Sequence, residues 1–175
     1  KIKIEFLIET HLKNLDDELI DLLNKAGLKM VYVGIESSNP EVLNGIKRFT
    51  IDTDQQYQII KKLVEKKIIV KSMFMFGSPD DTEETVKDTI DYALTLPNQL
   101  VQYSVFTPYP GTPIFKLYEN KISKKKYEMF NQYNLVYDHK NLDDAKLEKL
   151  KNLGYKKFYS NLKNLPIVIK SFLSL

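Results

Sequence analysis

Four short groups of polar and glycine–proline residues each follow directly on an apolar run: Glu9-Thr10-His11, Glu36-Ser37-Ser38, Gly77-Ser78-Pro79 and Thr107-Pro108-Tyr109-Pro110-Gly111-Thr112-Pro113. Glu9, His11 and Glu36 are residue types that move protons, so acid–base chemistry is open to them. A Glu9–His11–Glu36 metal site is weaker, because it lacks the pair spacing of dedicated ligands. Each group also has a plainer reading. Glu36 can orient a turn, Ser37 and Ser38 can cap a helix, and a lone histidine such as His11 is more often a hydrogen-bonded structural group. Gly77 marks a place where a side chain would forbid a backbone conformation or a close approach. Arg48 is the single arginine among 26 basic residues. Its planar fork beside Lys47 suits a carboxylate, whereas the plainer reading is a basic residue ending a short helix. The segment around Tyr109 holds three prolines and a glycine, a rigidity that suits a pocket wall. His139 lies in a polar stretch with no evident partner.

The elements that must hold these groups show as switches of hydrophobic period. Ile2 to Ile8 reads as a strand, and Leu15, Leu19, Ile20, Leu22, Leu23 and Ala26 recur at helical spacing, with Asn14 as cap and Gly27 as stop. Met30 to Ile35 is a continuous apolar run, the pattern of a parallel strand covered on both faces. Asn39-Pro40-Glu41 opens a short helix toward Ile46, and a second helix spans Asp54 to Lys66. Ile68 to Phe76 is the third strand, Thr82-Glu83-Glu84-Thr85 opens a helix ending near Leu96-Pro97, and Leu100 to Phe106 is the fourth strand. Strands alternating with helices imply a parallel sheet with right-handed crossovers. In such sheets ligands bind beyond the carboxyl ends of the strands, so the four groups should converge. Ile122 to Lys126 reads as a solvated break. Beyond it, Asp143 to Tyr159 and Leu165 to Leu173 read as helices, and Tyr127, Phe130, Tyr133, Tyr137, Tyr155, Phe158 and Tyr159 are expected to pack on the body of the strand–helix barrel, since aromatics mark core before they mark a partner site.

Composition sets the outer limits. The 175 residues are 43% hydrophobic and 28% charged, enough for one globular domain. There is no cysteine, which excludes for this stretch a disulfide, a thiolate zinc site, a cysteine-ligated iron–sulfur cluster and a thiol nucleophile. The net charge of +3 is too slight and dispersed to argue for nucleic acid or an anionic membrane as partner. No apolar run approaches a membrane span and no secretory pattern opens the chain, so a cytoplasmic location is expected. Starting at Lys1 and running at once into a strand, the chain reads as a piece of something longer.

In order and spacing, several motifs together resemble the later portion of a radical S-adenosylmethionine (SAM) domain, especially the branch associated with a cobalamin-binding domain. They are Glu9-Thr10-His11 with Leu15-Asp16-Asp17-Glu18-Leu19; Val33-Gly34-Ile35-Glu36-Ser37; Val42-Leu43 with Lys47-Arg48 and Thr50; Phe76-Gly77-Ser78-Pro79-Asp80-Asp81-Thr82-Glu83-Glu84-Thr85; Thr89 to Ala93; and Thr107 to Pro113. The resemblance implies an α/β fold: a parallel partial (β/α) barrel of TIM-like type, its last four βα units, over residues 1–119, with a C-terminal helical extension over 120–175. It implies SAM and a 4Fe-4S cluster as cofactors, with cobalamin in the associated branch, a 5′-deoxyadenosyl radical generated by reductive cleavage, and a small-molecule substrate. By the same resemblance Glu36 and Ser37 would lie beside the ribose or amino-acid part of SAM, and Lys47 or Arg48 would reach its carboxylate. The strand from Met73 to Gly77 would pass under the adenine, Thr107 and Tyr109 would close the pocket, and Glu9 and His11 would face SAM or substrate. The C-x-x-x-C-x-x-C cluster loop of the family is absent from this sequence. The missing N-terminal half is then supplied in cis or in trans. The alternatives are a non-catalytic remnant or split-gene subunit, and an unrelated barrel hydrolase or lyase using Glu9, His11 and Glu36.

Overall fold

The computed structural model describes residues 4–161. Four strands, β1 (Phe6–Thr10), β2 (Leu28–Glu36), β3 (Ile69–Phe76) and β4 (Leu100–Val105), form one wholly parallel sheet in sequential order. Between them run α1 (Asp17–Ala26), α2 (Pro40–Gly45), α3 (Thr53–Glu65) and α4 (Glu83–Thr95). Two further helices follow β4, α5 (Pro113–Tyr118) and α6 (Asp144–Tyr159). This is the parallel α/β arrangement that strand–helix alternation implies.

The helix boundaries follow from local chemistry. Asp16, Asn39, Asp52, Thr82, Thr112 and Asp143 each accept a hydrogen bond from a backbone amide of the first turn that would otherwise lack a partner. The cap of α1 is thus Asp16, two residues beyond the expected Asn14, which instead ends a turn of 3-10 helix over Leu12–Asn14. Gly27 closes α1 at φ 110°, where a Cβ would lie on the carbonyl oxygen of Ile4. β1 begins at Phe6, later than the expected strand. The expected helix over Leu165 to Leu173 lies outside the described residues.

Alternation along the strands gives the sheet two unlike faces. Val31, Val33, Val70, Phe74, Phe76, Val101, Tyr103 and Val105 are buried against Ile20, Ile60, Leu63, Val86, Ile90, Leu147 and Phe158 of α1, α3, α4 and α6, in one continuous core. Each side chain so buried contributes about 1.5–3 kcal/mol. The other face carries Leu7, Glu9, Tyr32, Gly34, Lys71, Met73, Met75, Gln102 and Ser104, all half-buried or exposed. β2 is therefore open on one face, not covered on both as its apolar run suggests. Tyr32 and Gly34 read as apolar in the sequence and hide the alternation.

The C-terminal segment packs back on the sheet less uniformly than its aromatics suggest. Tyr137 and Phe158 are buried, and Tyr155 and Tyr159 lie against the core, but Tyr127 and Tyr133 are 82% and 70% exposed. The difference is their setting. Tyr127 opens a short 3-10 turn in a loop, whereas Phe158 lies on the inward face of α6. His139, partnerless in the sequence, is hydrogen-bonded to the carbonyl of Ser78.

Candidate functional site

The open face ends in a charged pair at the tip of β2. Between Gly34 and Glu36 the register with β3 slips, so that Gly34 pairs with Met73 and Glu36 with Phe74. Such a bulge re-aims the residue that follows it. Glu36 takes φ 69°, a left-handed conformation that costs a non-glycine residue about 1–2 kcal/mol. So aimed, its Oε1 accepts a 2.7 Å hydrogen bond from Nη2 of Arg48. Gly34 leaves room for this, since a Cβ there would stand 3.0 Å from Oε1 of Glu36 and 4.0 Å from Nη2 of Arg48.

Arg48 is delivered by the end of α2. The amide of Arg48 bonds the carbonyl of Leu43 and that of Lys47 the carbonyl of Asn44, the paired bonds of a Schellman motif. Lys47 occupies the left-handed position of that motif, at φ 55°, where glycine or asparagine is usual. The motif turns the chain back toward β2, while the side chain of Arg48 remains half exposed. A guanidinium has five N–H donors, so one bond to Glu36 leaves most of the fork available.

The register aligns further rows on this face: Glu9, Tyr32 and Lys71, then Gly34, Met73 and Gln102, then Met75 and Ser104. The Lys71 ammonium lies 4.6 Å from the centre of the Tyr32 ring, a cation–π contact. Tyr32, Lys71 and Gln102 went unnoticed in the sequence. The signal that could have found them is the parity of Lys71 with Met73 and Met75 on an otherwise buried strand.

The other expected residues are placed variously. Glu9 is exposed on the open face and Met73 half-buried there. Ser37 is buried away from it, its Oγ 3.2 Å from Oγ1 of Thr89 on α4 and accepting from the amide of Asn39. His11 caps the 3-10 turn after β1, with Nδ1 accepting from the amide of Lys13 at 3.1 Å. Thr107 is buried and donates to the carbonyl of Val105, whereas Tyr109 is exposed. Gly77 has φ 77°, and the close approach that its bare Cα permits is made by Leu147, 3.1 Å from where a Cβ would lie. Just beyond it, the carboxylate of Asp81 accepts from the amide of Ser78 and the hydroxyl of Thr85. Burial outweighs those bonds and pushes its pKa up to about 6.

The donor set fits the amino-acid end of SAM: on the open face of the sheet, Arg48 keeps for a carboxylate the part of its guanidinium that Glu36 does not bond. The iron–sulfur cluster is different. The sequence has no cysteine, and among the described residues no group of three or more histidine or acidic side chains could hold a metal ion. The trio Glu9, His11 and Glu36 is not such a group. This stretch therefore supplies no cysteine ligand to a cluster.

Comparison with known proteins identifies the family. The sequence profile of the radical SAM superfamily matches residues 1–93, more than half of the chain. The chain belongs to the radical SAM superfamily. It is 25% identical over 130 residues to bacteriochlorophyllide d C-12(1)-methyltransferase of Chlorobaculum tepidum, covering 74% of this chain and 28% of that protein. TsrM of Kitasatospora setae, a radical SAM methyltransferase solved with tryptophan and a SAM analogue, is 25% identical at a TM-score of 0.58, over 67% of this chain and 23% of that one. A second structure of TsrM, with cobalamin and a [4Fe-4S] cluster bound, matches at 22% identity and the same TM-score over 84% of this chain and 30% of that one. Coproporphyrinogen III oxidase of Escherichia coli shares the fold at a TM-score of 0.65 and 14% identity, over 87% of this chain and 32% of that one. The chain spans 28–35% of the length of the first two curated relatives it matches. No helix among the described residues is long and apolar enough to cross a membrane.

Proposed function

We propose that this chain is the SAM-binding part of a radical SAM enzyme that modifies a small-molecule substrate in the cytoplasm. The observation that carries the reading is the Glu36–Arg48 pair, set beside Gly34 at the strand ends of an otherwise open sheet face. Held with a 4Fe-4S cluster that another part of the protein must ligate, SAM supplies radical or methyl-transfer chemistry. Arg48 binds the SAM carboxylate through the part of its fork that Glu36 leaves free. Glu36 fixes the plane of that fork. Glu9 and Met73 line the same face, β3 and the loop after Gly77 support the adenosine half, and Tyr109 covers the rim and excludes water. Ser37 acts at one remove, tying the end of β2 to α4, and His11 shapes the loop after β1. Likeness to TsrM supports a cobalamin-dependent form, which the absorbance spectrum of the purified protein checks.

Arg48→Ala should weaken SAM about 10- to 100-fold, the range expected on losing a charge-assisted hydrogen bond, and weaken a decarboxylated SAM analogue less than about twofold. Equilibrium dialysis on the anaerobically reconstituted, cluster-bearing protein measures both. Equal losses for the two ligands would make Arg48 a structural residue and sink the assignment.

A further inference from the structure

Residues beyond β4 return to the loop that follows β3. The Tyr137 hydroxyl donates to the carbonyl of Gly77 at 2.7 Å, and Nδ2 of Asn141 donates to the carbonyl of Asp81 at 2.8 Å. His139 places Nε2 at 2.8 Å from the carbonyl of Ser78. Its tautomer is fixed by its neighbours: Nδ1 accepts from the amides of Asn141 and Leu142, both at 3.1 Å, so the proton of the neutral ring is on Nε2 and is given to Ser78. Three peptide carbonyls within five residues are thus held from one side.

Tyr137 also packs against the residue that follows β4 and against α5. Its ring meets Phe106, at the end of β4, with centroids 5.8 Å apart, and Tyr118 of α5 at 5.3 Å. The ring is 3% exposed, so its hydroxyl needs a partner, and the partner is the Gly77 carbonyl. Apolar packing of Leu135 and Leu147 on Gly77 would fix where the loop lies. Directed bonds to its carbonyls do more, because they set the tilt of each peptide plane. A loop that reads a ligand through its backbone depends on that tilt.

We propose that Tyr137 and His139 are positioning residues for SAM, holding the peptide planes of 77–81 in the orientation that supports its adenosine half. This rests on the SAM site argued above. The segment that carries them lies beyond residues 1–93, where the superfamily profile matches, so SAM affinity depends on a part of the chain outside the matched region.

The test uses the cluster-bearing protein and two readouts, hydrogen–deuterium exchange of the 77–82 amides without ligand and equilibrium dialysis of SAM. Tyr137→Phe keeps the ring and removes the donor. It should speed exchange in the loop and weaken SAM about 10-fold, the size of one buried hydrogen bond. His139→Leu should act alike, and His139→Gln, which returns a donor to the Nε2 position, should restore affinity to within about twofold. Unchanged exchange in both Tyr137→Phe and His139→Leu overturns the proposal. So does faster exchange with unaltered SAM affinity, which would mark a contact serving stability alone. A wild-type protein that binds no SAM overturns the underlying site instead, and the exchange readout tells that failure from failure of the clasp.

Discussion

Glu36 stands in a left-handed backbone conformation and Gly34, two residues earlier, has no side chain, and the two facts belong together. The strain at Glu36 persists because the bulge and the bond from Arg48 hold it, and it aims a carboxylate across the sheet that a regular strand would send elsewhere. Gly34→Ala tests this at the scale of one methyl group. The added Cβ would press on Oε1 of Glu36 at 3.0 Å, turning the carboxylate and with it the fork of Arg48. We expect about a 10-fold loss of SAM affinity with the melting temperature nearly unchanged, since the open face has room to relax. A fall in melting temperature with affinity intact would place Gly34 in the packing and outside the site. The sequence named Glu36 and Arg48 through their types and positions. The bond between them was not legible, because it depends on a bulge and a left-handed turn that neither residue type announces.

The short helix α2 illustrates how an element chooses between neighbouring candidates. Lys47 and Arg48 are adjacent cations, and either could reach a carboxylate by composition alone. The Schellman motif separates them, spending Lys47 on the left-handed position and sending Arg48 back to β2. Lys47→Gly removes a charge but relieves the backbone cost, so we expect a melting temperature a few degrees higher and SAM affinity within about twofold of wild type. A 10-fold loss of affinity would transfer the carboxylate to Lys47. Helix caps were the most legible feature along the chain, as Asn39, Thr82 and Gly27 show. Asp16 caps α1 in place of Asn14 because Leu12 to Asn14 form a 3-10 turn of their own, with Leu12 buried and His11 as its cap. The clasp of Tyr137 and His139 on the β3 loop could not be read at all, since about 60 residues of chain separate the partners and no local pattern connects them.

Taken whole, the described chain is a parallel sheet with one face packed and one face open. Alternating strands and helices, the residues at their ends and the order of the motifs were enough to indicate that architecture and the superfamily. What the apolar runs concealed was the openness of the second face, where Tyr32, Lys71, Met73 and Gln102 lie half-buried in register. In a closed barrel such a face becomes the interior, and polar residues there line a ligand space. The first edge of the sheet is β1, with exposed Leu7 and Glu9. An unpaired parallel edge of this kind is an aggregation hazard unless another strand covers it. The measurement that bears most directly on the account is a crystal structure of the cluster-bearing protein with SAM bound. It should show the SAM carboxylate on Arg48, with Gly34 and Met73 beneath the ligand and the adenosine against the loop after β3. SAM bound elsewhere, with Arg48 still engaged only by Glu36, would contradict it.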